Sequence, residues 1–319
     1  MGQVLVTGCN GFIGSRVTNA LLNKGYKVLG LSTGEKPKIL HEHFKYIRTD
    51  LTDCIAVENI FSNYDISTVI HLAAIAHLKG RKKIEWNEFY RVNTLASKTI
   101  FQCAIRKGAS IFFASSVDVY GNIDDSIIKE DCLPNPISAY AKSKYFAEKT
   151  LEDLGEKYSH NYVIGRFAPV YDREFMKDAY KRIYLKSPDI AFTLGGRYSY
   201  HFVSVNNVVE FVVEWLNSKK NISGIFNVCD KEPINPKEFI SLEKKLGNSK
   251  RVIHLPDLAM TFIKNSIEIS IKLFKNQKLN KFRTNLYKLI RPARYSTNRM
   301  EQVMTPRWNL KNTVYREIQ

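Results

Sequence analysis

The sequence predicts an α/β protein with a doubly wound parallel sheet, followed by a smaller, mixed C-terminal lobe. In the first half, short runs rich in β-branched residues alternate with amphipathic stretches, which is the pattern of βαβ units. After about residue 170 this strict alternation ends, and shorter strands and helices follow. We therefore expect one domain over 1–170 and a second over 171–319, with some segments of the second returning to the core.

The predicted strands are short apolar runs bounded by polar or glycine-containing turns, at 3–7, 26–32, 45–49, 67–72, 109–115 and 161–167. The predicted helices repeat apolar residues every three or four positions, at 12–23, 53–62, 84–107, 138–157 and 206–217. The first helix, for example, places Ile13, Val17 and Leu21 on one face.

A glycine-rich turn joins the first strand to the first helix, where Thr7 is followed by Gly8, Gly11 and Gly14. The first glycine permits a tight turn, the second lets a pyrophosphate approach the backbone, and the third lets the helix pack close to the sheet. The unpaired N–H groups at the start of that helix attract phosphate. The turn therefore predicts that 1–170 is a dinucleotide-binding Rossmann domain.

Written as TGxxGFIG, this turn resembles that of the extended short-chain dehydrogenase/reductase family, which includes NAD-dependent epimerases and dehydratases. The resemblance covers 1–170 strongly and the remainder loosely. It implies NAD or NADP as cofactor, with Phe12 and Ile13 among the cofactor-binding residues. It also implies a nucleotide-diphosphate sugar as substrate, and a homodimer formed through helices 84–107 and 138–157.

The second predicted strand ends near Ser32, where NAD-binding proteins of this fold carry an acid for the adenosine ribose. No acid stands there and no arginine follows to hold a 2′-phosphate, so the sequence leaves NAD and NADP open. The resemblance assigns adenine contacts to Asp50 and Leu51. Alternatively, Asp50, Thr52 or Asp53 simply caps the helix that begins near residue 53.

Three further segments are predicted to bind the cofactor. His71 is interpreted as a hydrogen-bonded core histidine. The segment that begins with it resembles the family's HxAA segment, whose small residues let backbone lie against the cofactor; this implies cofactor contacts for Leu72, Ala73 and Ala74. Asn93 is unusual inside a helix, and the resemblance implies that it orders the active-site lysine. Residues 166–171 resemble the family's segment after the sixth strand, which implies that Phe167 contacts the nicotinamide region.

The catalytic prediction rests on two segments. An apolar strand ends in Ser115 and Ser116, and the pair Tyr140 and Lys144 opens the helix over 138–157. Tyr140 and Lys144 are four residues apart and share a helix face, so we expect the ammonium to lower the pKa of the phenol. The resemblance implies that Ser116, with Ser115 as the fallback, binds the reacting hydroxyl, Tyr140 moves its proton, and Lys144 holds the nicotinamide ribose.

Two arginines are predicted to bind the substrate: Arg197, just before a stretch that resembles RDFVHVDD, and Arg291, which resembles a diphosphate-binding arginine of the family. The stretch 71–77 and the basic C-terminal lobe resemble family members that act at C4, which implies a C4 epimerase or a 4-keto reductase acting on a UDP-(N-acetyl)hexose. One alternative is a 4,6-dehydratase, for which Asp118 supplies one acid while Val117 stands where some members need another. A second alternative is a non-catalytic NAD(P)-sensing or RNA-binding protein on the same fold.

The chain carries a net charge of +17, and segment 264–294 contains nine basic residues against one acid. This segment is interpreted as a contact for an anionic membrane surface, as a site for the substrate diphosphate, or as the solvated face of an amphipathic helix. The chain shows no motif of interleaved basic and aromatic residues that is typical of RNA binders, so nucleic acid is not expected as a partner.

The five cysteines include no CxxC pair, which favours free thiols in the cytoplasm and no metal site. The sequence shows neither a secretory leader nor an apolar run of 18 residues, so we expect no membrane span.

Overall fold

The computed structural model describes residues 2–76, 84–121, 123, 127–183, 190–194, 199–218, 220–248, 251–256, 258, 261–262, 265–266, 269 and 294–316. Arg197, Arg291 and nearly all of the basic segment 264–294 lie outside the described residues.

A seven-stranded sheet forms the centre of the molecule. Its strands are β1 (Gln3–Thr7), β2 (Val28–Ser32), β3 (Phe44–Arg48), β4 (Ile66–His71), β5 (Ser110–Ser116), β6 (Tyr162–Phe167) and β10 (Gly224–Val228). All neighbouring strands are parallel, in the order β10-β6-β5-β4-β1-β2-β3. This confirms the predicted doubly wound sheet and its six predicted strands.

The strand order reverses between β1 and β4, and such a reversal opens a ligand crevice at the carboxyl ends of the strands. Strand β10 comes from the second half of the chain. A C-terminal segment therefore returns to the core, as we expected. The division at residue 170 itself stays a prediction.

The helices of the first half are α1 (Phe12–Asn23), α2 (Cys54–Asn63), α3 (Trp86–Phe89), α4 (Ala96–Arg106) and α5 (Ala139–Tyr158). The predicted helix over 84–107 is found in three pieces, because a π-helical segment, Tyr90–Leu95, joins α3 to α4. The predicted helix over 206–217 is α7, Val205–Asn217. None of the described helices combines the length and the apolar composition that crossing a membrane requires.

The described part of the second half adds shorter elements. They are β7 (Val170–Tyr171), α6 (Lys177–Ile183), β8 (Ile190–Leu194), β9 (Val203–Ser204), α8 (Pro236–Lys245), β11 (Arg251–Leu255) and α9 (Leu310–Val314). Strand β7 pairs with β9, and β8 pairs with β11, in both cases in parallel.

Apolar clusters cover both faces of the sheet, as a parallel sheet requires. On one face, Val17 of α1 and Phe211 of α7 pack against Val4 and Val6. On the other, helices α2, α4 and α5 pack against Leu5 and its neighbours. A third cluster, around Phe239, forms the core of the C-terminal lobe.

Candidate active site

The glycine turn packs directly against the end of β4. Gly8 has a φ of +70°, and a Cβ on it would come within 2.9 Å of the Ala73 Cα atom. A Cβ on Gly14 would come within 2.0 Å of the Gly8 carbonyl oxygen. Helix α1 begins after Gly11, which has no side chain to cap the first N–H groups of the helix. The turn is therefore a backbone cradle of the kind that holds a diphosphate.

Phe12, the first residue of α1, contacts the second half of the chain. Its ring stacks on Phe175 with centroids 4.6 Å apart, and the Arg16 guanidinium lies 4.3 Å from the centre of the Phe12 ring. Arg16 also pairs with the Asp172 carboxylate at 2.5 Å. Ile13 is partly buried against the core. The glycine turn is thus joined to the segment that follows β7 by a stacked ring pair and an ion pair.

A chain of hydrogen bonds connects β1, β4 and α4 through buried His71. The Ser97 hydroxyl donates to the Asn93 carbonyl at 2.7 Å, so Ser97 accepts from His71 Nε2 at 2.8 Å. Nδ1 of His71 therefore accepts from the Thr7 hydroxyl at 2.6 Å, and the Thr7 oxygen accepts the Ala73 N–H at 3.2 Å. Burial, with the charge of Lys144, lowers the pKa of His71 to about 3. The interpretation of His71 as a hydrogen-bonded core histidine is confirmed.

Asn93 lies in the π-helical segment and is fully buried. Its Oδ1 accepts the Ile75 N–H at 2.9 Å, while its Nδ2 donates to the Ile75 carbonyl at 2.9 Å and to the Ser143 hydroxyl at 3.0 Å. Ser143 is the residue before Lys144. Asn93 therefore links the backbone after β4 to α5 at the residue next to Lys144, and its predicted role in ordering the lysine stays a prediction.

The three predicted catalytic side chains gather where β5 ends and α5 begins. The Tyr140 hydroxyl is hydrogen-bonded to the Ser116 side chain. Lys144 is only 2% exposed, and its Nζ lies 4.1 Å from the centre of the Phe113 ring. Ser115 is buried, and its hydroxyl has no hydrogen-bond partner in the described part of the chain. The bond to Tyr140 thus favours Ser116 over Ser115 as the substrate-binding serine.

The electrostatics of Tyr140 differ from the expectation. Burial raises the pKa of its phenol, and the Asp118 carboxylate raises it further, while the Ser116 hydrogen bond opposes the rise. The expected lowering by Lys144 is wrong for this arrangement. Burial lowers the pKa of Lys144 to about 7, against the charge of Glu148. Tyr140 is therefore held as a neutral phenol, a proton donor.

The predicted adenine end lies at the edge of the sheet near β2. Asp50 accepts from the Thr52 N–H at 2.9 Å and from the Thr52 hydroxyl at 2.8 Å, and these bonds lower the pKa of Asp50. Helix α2 is capped by Asp53, which accepts the Ala56 N–H, so Asp50 is not its cap. Leu51 is buried in the core.

The other residues predicted to contact the cofactor differ in their exposure to solvent. Leu72, Ala73 and Ala74 are partly or fully exposed at the carboxyl end of β4. Phe167 is 5% exposed, and its ring packs near Phe112 in the core. Its backbone, rather than its ring, is therefore the part that could contact a cofactor.

Sequence reasoning missed a buried ion pair behind the site. Arg166 of β6 donates to both carboxylate oxygens of Glu148 on α5, at 2.8 to 3.3 Å. Arg166 also donates to the Glu130 carbonyl. An arginine inside an apolar strand was the available signal, because a buried charge requires a partner. Glu148 stands one turn beyond Lys144, so this pair positions the charge that acts on the lysine.

The fold and the site define a class of protein, the dinucleotide-binding α/β proteins with a serine, a tyrosine and a lysine at the carboxyl end of the strand next to the switch-point pair. The chain belongs to the NAD dependent epimerase/dehydratase family, whose profile matches residues 4–229.

Several known proteins are similar to this chain. A UDP-glucose 4-epimerase of Neisseria gonorrhoeae is 31% identical over 162 residues, which cover 47% of this chain and 48% of that protein. The chain spans about half the length, or less, of the first curated relatives that it matches.

Two solved structures share the fold. The UDP-glucose 4-epimerase of Thermotoga maritima with UDP-glucose is 26% identical, with a TM-score of 0.66, over 80% of this chain and 85% of that one. The UDP-glucuronic acid 4-epimerase of Bacillus cereus with NAD has the same identity, TM-score and coverage of this chain, and 87% of its own length is covered.

Proposed function

We propose that this protein is an NAD(P)-dependent enzyme that acts at C4 of a nucleotide-diphosphate sugar, as a 4-epimerase or a 4-keto reductase. The observation that carries the proposal is the hydrogen bond between Ser116 and Tyr140 at the carboxyl end of β5, the strand beside β4. Support comes from relatives that are 4-epimerases of UDP-sugars. A UDP-(N-acetyl)hexose is the substrate class that we put first.

The described residues fit a dinucleotide. The backbone cradle of Gly8, Gly11 and Gly14 would hold the diphosphate, and Asp50 stands at the adenine end. When bound, the nicotinamide supplies or accepts the hydride that is exchanged with the sugar carbon. Lys144, one helical turn from Tyr140, would hold the ribose beside that ring.

The protein side of the chemistry is proton transfer at one oxygen. The Ser116 and Tyr140 hydroxyls would both bind the oxygen on C4 of the sugar. Because burial and Asp118 keep Tyr140 protonated, this phenol is suited to donate its proton to a C4 ketone as that ketone becomes an alcohol. Ketone reduction is the whole reaction of a reductase and the second half of an epimerisation, so the site serves both.

A second candidate, a 4,6-dehydratase, is favoured by the position of Asp118. Its carboxylate is close enough to Tyr140 to raise the pKa of the phenol, and elimination of water needs an additional acid or base. Val117, where some dehydratases need another acid, is apolar and buried. We therefore favour epimerisation or ketone reduction at C4 over 4,6-dehydration.

The test is product analysis by NMR. The protein is incubated with UDP-glucose or UDP-GlcNAc and a catalytic amount of NAD⁺, and with a UDP-4-keto sugar and stoichiometric NADH or NADPH. A C4-inverted sugar identifies an epimerase, and a 4-hydroxy sugar with loss of reduced cofactor identifies a reductase.

The matched variants are Tyr140→Phe and, as control, Tyr145→Phe on the same helix. We expect a loss of about 10²-fold or more in the first, because it removes the proton donor, and near-normal turnover in the second. Cofactor binding with no turnover on any of these sugars would replace the proposal with a non-catalytic sensor.

A further inference from the structure

We propose that Ser32 and Arg48 form a site for the 2′-phosphate of NADP, so that this protein binds NADP(H) at least as tightly as NAD(H). The inference rests on the proposed function, because it assumes a dinucleotide seated on the glycine turn. It concerns the strand end where NAD-specific proteins of this fold place an acid.

The two residues are neighbours across the sheet although they are far apart in the chain. Strands β2 and β3 are parallel, and Ser32 is paired with Arg48 in the last register position of both. Paired residues of adjacent strands project to the same face. Ser32 and Arg48 therefore stand side by side at the carboxyl edge, where the adenosine ribose would lie.

Tyr46 connects the charge of Arg48 to the end of β2. The Tyr46 hydroxyl has one proton to donate and lies within hydrogen-bond distance of two carbonyl oxygens, that of Gly34 and, at 3.2 Å, that of Ser32. Burial raises the pKa of Tyr46 while the charge of Arg48 opposes the rise, so the guanidinium is within electrostatic reach of this phenol. Arg48 is exposed and available to a ligand.

The turn after β2 is fixed to the glycine turn. Asn10, between Gly8 and Gly11, accepts the Lys38 N–H at 3.0 Å and donates to the Lys36 carbonyl at 2.9 Å. The turn is thus anchored at one end by Tyr46 and at the other by Asn10. Lys36 and Lys38 are exposed on it, next to the predicted phosphate cradle.

The charges favour a phosphate over a hydroxyl. An acid at this strand end would accept from the 2′-hydroxyl of NAD and repel a 2′-phosphate, but Ser32 carries no charge. Within 32–38 the one acid is Glu35, against two lysines, and Arg48 adds a guanidinium, which binds phosphate oxygens in a two-pronged manner. Inspection of segment 32–38 in the sequence finds no arginine. Arg48 becomes a neighbour of Ser32 only because β2 and β3 pair.

The experiment measures equilibrium binding of NAD⁺ and NADP⁺ by isothermal titration calorimetry. The proteins are the full chain, Arg48→Gln, Ser32→Asp and the control Lys27→Gln, which removes a charge just before β2, at the opposite end of that strand. We expect the unaltered chain to bind NADP⁺ with a Kd no higher than that for NAD⁺.

The variants separate the phosphate contact from the rest of the site. Arg48→Gln should raise the Kd for NADP⁺ by about tenfold or more and leave that for NAD⁺ within about twofold, since it removes one charged hydrogen-bonding group. Ser32→Asp should raise the Kd for NADP⁺ and leave the Kd for NAD⁺ unchanged. Lys27→Gln should change neither, and unchanged NAD⁺ binding shows that each variant is folded.

Tighter binding of NAD⁺ than of NADP⁺ by about tenfold in the unaltered chain would overturn the inference and leave the proposed function standing. Equal weakening of both nucleotides by Arg48→Gln would also overturn it, because the arginine would then not recognise the extra phosphate. If the unaltered chain binds neither nucleotide, the proposed function fails together with the inference.

Discussion

At the scale of single residues, the state of Tyr140 depends on two polar neighbours with opposite effects. The Ser116 hydrogen bond lowers the pKa of the phenol, while the Asp118 carboxylate raises it in addition to burial. Ser116 is the last residue of β5 and Asp118 lies two residues beyond it, and the Ser116 hydroxyl also accepts the Asp118 N–H at 3.2 Å. One strand end therefore supplies both the hydroxyl that we propose binds the substrate and a charge that raises the pKa of the phenol.

We predict that Asp118→Asn lowers the pKa of Tyr140, because it removes the negative charge that disfavours the phenolate. The rate of oxidation of the sugar alcohol, which needs Tyr140 as a base, should then reach its half-maximum at a lower pH. The measurement is the pH profile of kcat/KM for that direction, with Asp153→Asn on the exposed side of α5 as control. An unchanged profile contradicts the electrostatic role, and loss of all turnover in Asp118→Asn supports the dehydratase instead.

Motif reasoning was sufficient for residues whose spacing is local. Ser116, Tyr140 and Lys144 could be singled out because their neighbours in the chain carry the pattern, and the structure gathers them at one strand end. The raised pKa of Tyr140 could not be foreseen. It depends on the burial of α5 against the sheet and on Asp118, which a 3₁₀ turn brings to the phenol.

At the scale of elements, the site depends on how β1, β4 and α4 are held together. Thr7, His71 and Ser97 form one continuous chain of hydrogen bonds across these elements, and its far end is the Asn93 carbonyl. A protonated imidazole would place N–H groups on both sides and lose its bond from Thr7. The chain therefore requires a neutral His71.

We predict that His71→Gln destabilises the protein at pH 7.5 by about 1–3 kcal/mol, the cost of a broken buried hydrogen bond. The folded-state pKa of His71, about 3, is below its ordinary value of 6.5, so its contribution to stability is full above pH 6.5 and is lost as the pH falls toward 3. The difference in the free energy of unfolding between the unaltered protein and His71→Gln should therefore decrease by about 1.4 kcal/mol for each pH unit below 6.5.

Urea denaturation of both proteins between pH 5 and pH 7.5 measures this difference, with exposed His41→Gln as control. A stability difference that stays constant across the range would show that His71 is not held neutral by the fold.

The sequence predicted elements better than their irregularities. Strand β5 and helix α5 follow from apolar periodicity, which the sheet and its covering helices reinforce. The π-helical segment Tyr90–Leu95 has no such signal. Asn93 there is anchored to Ile75, 18 residues earlier in the chain, and that contact exists only after the strands have assembled.

At the scale of the whole molecule, the C-terminal half is tied to the sheet through a buried carboxylate. Asp230, just beyond β10, accepts from the Tyr171 hydroxyl at 2.6 Å, the Ser204 N–H at 2.8 Å and Asn207 Nδ2 at 2.7 Å. Burial raises the pKa of Asp230 to about 7 against these hydrogen bonds. Because the donors come from β7, β9 and α7, the described part of the lobe and the sheet share one polar junction.

The outer surface of α3, the π-helical segment that follows it and α5 carries three exposed aromatic side chains in mutual contact. The ring centroids of Trp86 and Tyr90 are 5.4 Å apart, and Phe146 lies 5.9 Å from the first and 6.1 Å from the second. Their exposed fractions are 36%, 36% and 46%. Clustered exposed aromatic residues are typical of protein–protein interfaces, and these lie on the two helices through which a homodimer is expected.

We predict that the protein is a homodimer and that Phe146→Glu converts it to a monomer. The substitution would bury a carboxylate between the aromatic clusters of the two subunits, which is energetically costly. Light scattering coupled to size-exclusion chromatography, over a range of concentrations, measures the mass. The control is Tyr158→Glu at the end of the same helix, where the tyrosine is 55% exposed. A monomeric unaltered chain contradicts the dimer, whereas a dimer that survives Phe146→Glu but not Tyr158→Glu moves the interface to the far end of α5.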